Sequence, residues 1–235
     1  MPERTPLVLL PGLLCDAALW APQVAELSDI ADCRIIVLNE DDTMAGMARR
    51  VLDQVPETFA LAGLSMGGYC AFEIMRQAPD WVSRLALLDT SHEADPPDRR
   101  ATRLAWIDNA RAHGLGSRIP AHMEMYFHPD HLSDAALVAT ASQSARNIGL
   151  DAYARQLTAI MNRADSAADL AAISCPTLVL CGREDVATPL HLHEAMAAAI
   201  KGADLQVIEH CGHLSTLEKP AEVNEALRRW LHRDI

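Results

Sequence analysis

Short, nearly continuous hydrophobic runs recur along the chain at residues 7–10, 34–38, 59–64, 84–88, 177–181 and 205–208. A strand with one wet face alternates apolar and polar positions. Unbroken runs of this kind fit strands covered on both faces. Between them the spacing changes to that of helices, over 17–27, 43–54, 66–77, 189–200 and 221–232. Strand and helix in alternation predict an α/β fold: a mostly parallel sheet of about six strands with helices on both faces.

The alternation stops between residues 92 and 172. Here helical patterns follow one another at 99–113, 122–126, 134–147 and 151–162, separated by Gly, Pro and Ser, with no strand among them. An insertion of this size between two sheet strands sits on the rim of the sheet, where α/β proteins bind ligands. The expected organisation is therefore a core of residues 1–91 and 173–235 with a helical cap, 92–172, inserted on the rim.

The candidate chemistry begins at Ser65, in the stretch Gly63-Leu64-Ser65-Met66-Gly67 between a predicted strand and a predicted helix. This is the G-x-S-x-G spacing of a nucleophile elbow in the context that the elbow requires. The turn strains the serine backbone, and glycines on either side remove collisions with strand and helix. The serine would then stand at a helix N-terminus, where negative charge is favoured. A phosphate loop would need a following Gly-Lys-Ser/Thr, and a dinucleotide site a G-x-G-x-x-G; neither is present. The pentapeptide alone fits a structural turn equally well. A serine nucleophile also needs a base and an acid that orients the base, in the chain order Ser, Asp or Glu, His. Asp185 follows the run 177–181 and His213 follows the run 205–208, each just past the end of its own strand.

With these residues the chain resembles the α/β-hydrolase superfamily along nearly its whole length. It looks most like small, cap-bearing bacterial carboxylesterases and their lactonase, C–C hydrolase and perhydrolase relatives. The resemblance rests on Gly63 to Gly68, on Gly182-Arg183-Glu184-Asp185 with Pro189, and on Cys211-Gly212-His213. It implies Ser65, Asp185 and His213 as catalytic residues, Gly63 and Gly67 as elbow glycines, and the backbone amides of Leu13 and Met66 as oxyanion donors. Pro11 stands where the family commonly has a histidine, which puts the local support of the Leu13 loop in question. The motifs are specific for fold and catalytic residues and weak for substrate.

Other residues rival this set. Glu184 and Asp89 are alternative acids, the latter at the end of the strand before the cap. Cys15, close to the oxyanion loop, reads as a buried inert thiol. The ten histidines show no metal-ligand spacing, so no metal is expected. In the cap, Trp106, Tyr126 and Phe127 are candidates to line the substrate pocket. The cap arginines (Arg99, Arg100, Arg103, Arg111, Arg118, Arg146, Arg155, Arg163) read as surface charges; one pointing inward would argue for a carboxylate-bearing substrate.

Composition narrows the surroundings. A net charge of −12 with no basic block disfavours nucleic acid. Six scattered cysteines without a CxxC pair fit a reducing cytoplasm better than a disulfide framework. The apolar start is broken by Pro11-Gly12 and preceded by Glu3, so it reads as a first strand rather than a leader, and no run is long enough to span a membrane. The expected function is a serine hydrolase that cleaves a small carboxylic ester through an acyl-enzyme on Ser65, without a cofactor. The alternatives are an enol-lactone, a thioester or a C–C bond as the target of the same residues, or a hydrolase-fold protein that binds without turnover. Oligomeric state has no signature in the sequence.

Overall fold

The computed structural model of the protein describes residues 4–233. Glu3, which argues against a leader, lies outside the described residues. Six strands form one parallel sheet: β1 (Thr5–Leu10), β2 (Ala31–Ile35), β3 (Phe59–Leu64), β4 (Val82–Leu88), β5 (Thr177–Gly182) and β6 (Asp204–Ile208), in the order β2-β1-β3-β4-β5-β6. Every neighbouring pair is parallel. The order reverses between β1 and β3, so the C-terminal ends of these strands border the crevice where such sheets take ligands. β3 and β5 are buried at every position, which is why their sequences are unbroken apolar runs rather than alternations.

The helices are α1 (Ala21–Leu27), α2 (Met44–Leu52), α3 (Met66–Gln77), α4 (Arg99–His113), α5 (Ile119–Tyr126), α6 (Ala135–Met161), α7 (Leu190–Ala199), α8 (Ser215–Glu218) and α9 (Pro220–Leu231). α1 packs against α9 and α2 against α3. Thr43 caps α2 by accepting the Gly46 amide at 3.1 Å, and Asp134 caps α6 through the amides of Ala136 and Leu137. Among the described residues, no helix is long and apolar enough to cross a membrane.

Several expected boundaries move, among them the starts of α5 and β4, at Ile119 and Val82. The strand read at 34–38 lies at Ala31–Ile35, because β1 pairs with it from Thr5↔Ala31 and runs out at Leu10. The Ile36 amide still donates to Leu9 O at 3.1 Å, and Leu38 is buried beyond the end of that ladder. The helix read at 17–27 is a 3-10 turn, Ala17–Trp20, followed by α1 with Pro22 in its first turn, a position where a missing N–H costs no helical hydrogen bond.

Between β4 and β5 the described residues contain helices and 3-10 turns but no strand. The two helices read at 134–147 and 151–162 run together as α6, kinked at Gly149, whose φ of 77° is the left-handed value glycine adopts without strain. All six cysteines are free thiols.

Candidate active site

Ser65 follows β3 directly and precedes α3, with φ 55° and ψ −114°. That conformation is strained for a residue with a side chain. It is fixed from three sides: the Ser65 amide donates to Leu88 O at 2.9 Å, its carbonyl accepts from Thr90 Oγ1 at 2.8 Å, and the Gly68 amide also donates to that carbonyl. A Cβ on Gly67 would overlap the carbonyl of Leu10, and one on Gly63 would overlap the Gly67 backbone. The two glycines let strand, turn and helix approach this closely.

The structure brings Ser65, His213 and Asp185 together. His213 Nε2 lies 2.8 Å from Ser65 Oγ, and His213 Nδ1 lies 2.8 Å from Asp185 Oδ2. The remaining acceptor capacity of Asp185 is filled by the amides of Ala187 and Thr188, at 2.8 and 2.9 Å, and by Thr188 Oγ1 at 2.6 Å. The two amides fill Oδ1 and the Thr188 hydroxyl shares Oδ2 with the imidazole, so the carboxylate meets the imidazole edge in one orientation. Thr188 is not among the residues expected from the sequence; its signal there is the Asp-x-x-Thr spacing of a local side-chain turn. The His213 backbone is held as well, its amide donating to Tyr126 O at 2.7 Å.

Electrostatics sharpens the division of roles. Burial disfavours a charged His213, but the charge and hydrogen bond of Asp185 override it, and the imidazole is raised above its ordinary value. Burial likewise opposes the Asp185 charge, and His213 and Thr188 override it, so Asp185 is lowered. The rival acid Asp89 is completely buried, pushed well up by burial and by the nearby Asp185. It accepts the Gly182 amide at 2.9 Å and the Ser215 hydroxyl, and does not bond His213. Glu184 accepts the Cys211 amide at 3.0 Å. Both rivals hold the loops that carry Asp185 and His213.

Leu13 borders the same cavity as Ser65, and Met66 is the first residue of α3, so its amide has no partner within the helix. Neither amide bonds to another protein group among the described residues. The loop carrying Leu13 is supported from α6. Gln156, fully buried, accepts the Leu14 amide at 3.1 Å and donates to Leu38 O at 2.9 Å. Ser144 accepts the Asp16 amide at 2.6 Å, and Asn147 donates to Asp16 Oδ2 at 2.8 Å. Leu14 sits at φ 61° within this grip. The support that Pro11 does not offer comes from these three polar residues, which the sequence analysis missed. Cys15, in the same loop, has its thiol pushed up to about 12 by burial and then by Asp16, in keeping with an inert role.

A cavity of about 240 Å³ lies over Ser65 and His213, with Trp106, Met125 and Tyr126 on its wall. Phe127 does not line it. It is buried, and it follows the end of α5 in extended backbone. The surface reading also fails for two arginines: the side chains of Arg103 and Arg163 are only 11% and 7% exposed, and both bond to Asp95. Arg99 and Arg103 line the cavity. Behind the wall, His122 is buried with Nε2 2.9 Å from Tyr153 Oη, and burial, then Arg118 and Arg103, bring it down to about 4.

One group among the described residues could hold a metal ion: His128, Asp130 and His210, whose ligand atoms lie within 4.8 Å of one another. His193 is buried in α7 and accepts the Thr90 amide at 2.9 Å.

Residues 38–220 match the family described as alpha/beta hydrolase fold. A Serratia proteamaculans protein provisionally named carbamate hydrolase RutD is 26% identical across 98% of this chain and 92% of its own. The 3-oxoadipate enol-lactonase 1 of Acinetobacter baylyi is 27% identical across 93% of this chain and 86% of its own. A solved structure of a thermophilic esterase from Thermogutta terrifontis is similar with a TM-score of 0.87 at 29% identity, covering 97% of this chain and 89% of that one.

Proposed function

The chain belongs to the alpha/beta hydrolase family, and from that premise we propose that it is a serine hydrolase cleaving a small carboxylic ester through an acyl-enzyme on Ser65. The observation that carries this reading is the unbroken line Ser65 Oγ, His213, Asp185, with 2.8 Å at each step. The Ser65 oxygen attacks the ester carbonyl carbon as His213 Nε2 takes its proton. Asp185 fixes the tautomer and stabilises the imidazolium. The oxyanion of the tetrahedral intermediate is held by the amides of Leu13 and Met66, each contributing roughly 3–4 kcal/mol in chemistry of this kind. Collapse expels the alcohol with the proton from His213. Water, deprotonated by the same imidazole, then releases the acid and restores Ser65. Residues 92–172 act as a cap that walls the cavity above this centre and sets which esters fit.

An enol-lactone is an ester closed into a ring and would pass through the same steps. The full-length likeness to an enol-lactonase favours this as the second reading. A panel of linear esters and enol-lactones separates the two.

Ser65→Ala should lower kcat/KM on 4-nitrophenyl butyrate by about 10³-fold or more. A fluorophosphonate probe should label the folded wild type at Ser65 and leave the variant unlabelled. Undiminished turnover by the variant would sink the mechanism.

A further inference from the structure

α4 presents Arg99, Thr102, Arg103 and Trp106 to the cavity over Ser65. These positions, at i, i+3, i+4 and i+7, form one helical stripe. The buried positions of α4 are Ile107 and Ala110; this stripe borders the cavity beside them and brings two guanidinium groups to it, Arg103 largely buried and Arg99 exposed. No Asp or Glu lines that space. The contrast with the rest of the molecule is large, because the chain as a whole carries a net charge of −12.

Arg103 is held in place from behind. Its Nε and Nη2 each donate to Asp95 at 2.8 Å, and Arg163 Nη1 donates to the same carboxylate at 2.9 Å. Asp95, 2% exposed in its side chain, thus faces two arginines. One carboxylate cannot neutralise both, so a positive charge is left uncompensated beside the cavity. Arg103 Nη1 has no acceptor among the described residues. Arg99, one turn earlier, makes no ion pair there either. A neutral ester has no use for this arrangement, whereas a largely buried guanidinium with an unfilled donor, with a second, exposed one a turn away, recognises a carboxylate.

We propose that the substrate carries a carboxylate separate from the scissile ester, bound under α4 by Arg103 and Arg99 while the ester carbonyl sits at Ser65. This inference rests on the esterase reading for the position of the second group. The preferred substrate class is then the half-ester or lactone of a short dicarboxylic acid. The Asp95 bridge keeps the Arg103 fork oriented before substrate arrives, so binding immobilises little that is free.

The test compares two esters that differ only at the far end of the acyl chain: mono-4-nitrophenyl adipate and 4-nitrophenyl hexanoate. In wild type the kcat/KM ratio, anionic over neutral, should be at least about ten and should fall as sodium chloride is raised. Arg103→Gln should lower that ratio about tenfold or more, Arg99→Gln by a smaller factor, and Arg103→Lys should keep part of it. A role limited to holding Asp95 would change both esters alike and leave the ratio where it was. A wild-type ratio of one or below, or a ratio indifferent to Arg103→Gln, overturns the proposal. Binding of monomethyl adipate and methyl hexanoate to Ser65→Ala, measured by titration calorimetry, decides the matter without turnover. Tighter binding of the anion there, with no Ser65-dependent hydrolysis of any ester, would retain the carboxylate subsite and discard the esterase reading. Ser65-dependent hydrolysis with no preference for the anion would do the reverse.

Discussion

The side-chain oxygen of Gln156 accepts the backbone N–H of Leu14 at 3.1 Å, joining residues 142 positions apart. The loop that carries the Leu13 amide is therefore shaped by a residue of α6. Gln156→Leu removes both this acceptor and the donor to Leu38 O. Two buried backbone groups lose their partner, at roughly 1–3 kcal/mol each. The expected result is a lower melting temperature together with a fall in kcat of about 10- to 100-fold, with little change in KM, as befits a displaced oxyanion donor. A variant that loses stability but keeps wild-type kcat would show that Gln156 holds only the fold.

The pH profile follows from His213. Only the neutral imidazole can accept the Ser65 proton, and its pKa is raised because Asp185 outweighs burial. Activity should therefore be lost as pH falls, with kcat/KM rising through a midpoint above the ordinary histidine value of about 6.5. Asp185→Asn removes the overriding charge and leaves burial, so the midpoint should move down while kcat drops by roughly 10³–10⁴. A midpoint unmoved by Asp185→Asn would break the link between the two residues.

Two other histidines govern stability in acid. His122 and His193 are completely buried, and burial leads the causes that bring each to about 4. The unfolded chain protonates them near 6.5 and the folded chain does not, so stability is lost as pH falls between those values. The loss is roughly 2 kcal/mol per residue at pH 5. His213 and Asp89, both raised, work in the opposite direction, so the histidine contribution is read from the difference between a variant and wild type rather than from the net slope. His193→Gln keeps an acceptor for the Thr90 amide and does not titrate. Denaturant unfolding at pH 7 and pH 5 should show a smaller difference for that variant than for wild type; equal differences would refute the assignment.

The elbow glycines can be probed by size alone. Gly67→Ala places a methyl group on the Leu10 carbonyl, so the turn or β1 must move, at about 3 kcal/mol or more. Gly116→Ala meets nothing within 4 Å and should stay within about 0.5 kcal/mol of wild type. Soluble yield and chemical denaturation of the pair check both statements.

What the sequence made legible is local. Phe59 to Gly67 announces strand, elbow and helix within a single stretch, and Asp185 and His213 each follow an apolar run directly. Chain order supplied the rest. What it did not show depends on partners distant in sequence. Gln156, Ser144 and Asn147 look like ordinary polar residues of a helix until Leu14 and Asp16 are brought beside them. Arg103 was hidden for another reason: α4 carries charge on more than one side, so composition does not say which arginine turns inward. Phe127 misled because an aromatic residue beside Tyr126 looks equivalent to it, and the end of α5 falls between them.

The Tyr126 carbonyl receives the amide of His213, and α6 grips residues 14 to 16. The helical segment and the sheet therefore do not meet as two finished parts. A chimera that grafts a relative's segment onto this sheet would have to supply again the side-chain anchors of residues 14 to 16, even with every residue of the sheet intact. A substitution at Ser144, Asn147 or Gln156 therefore reaches residues 14 to 16 as directly as one made in that loop itself.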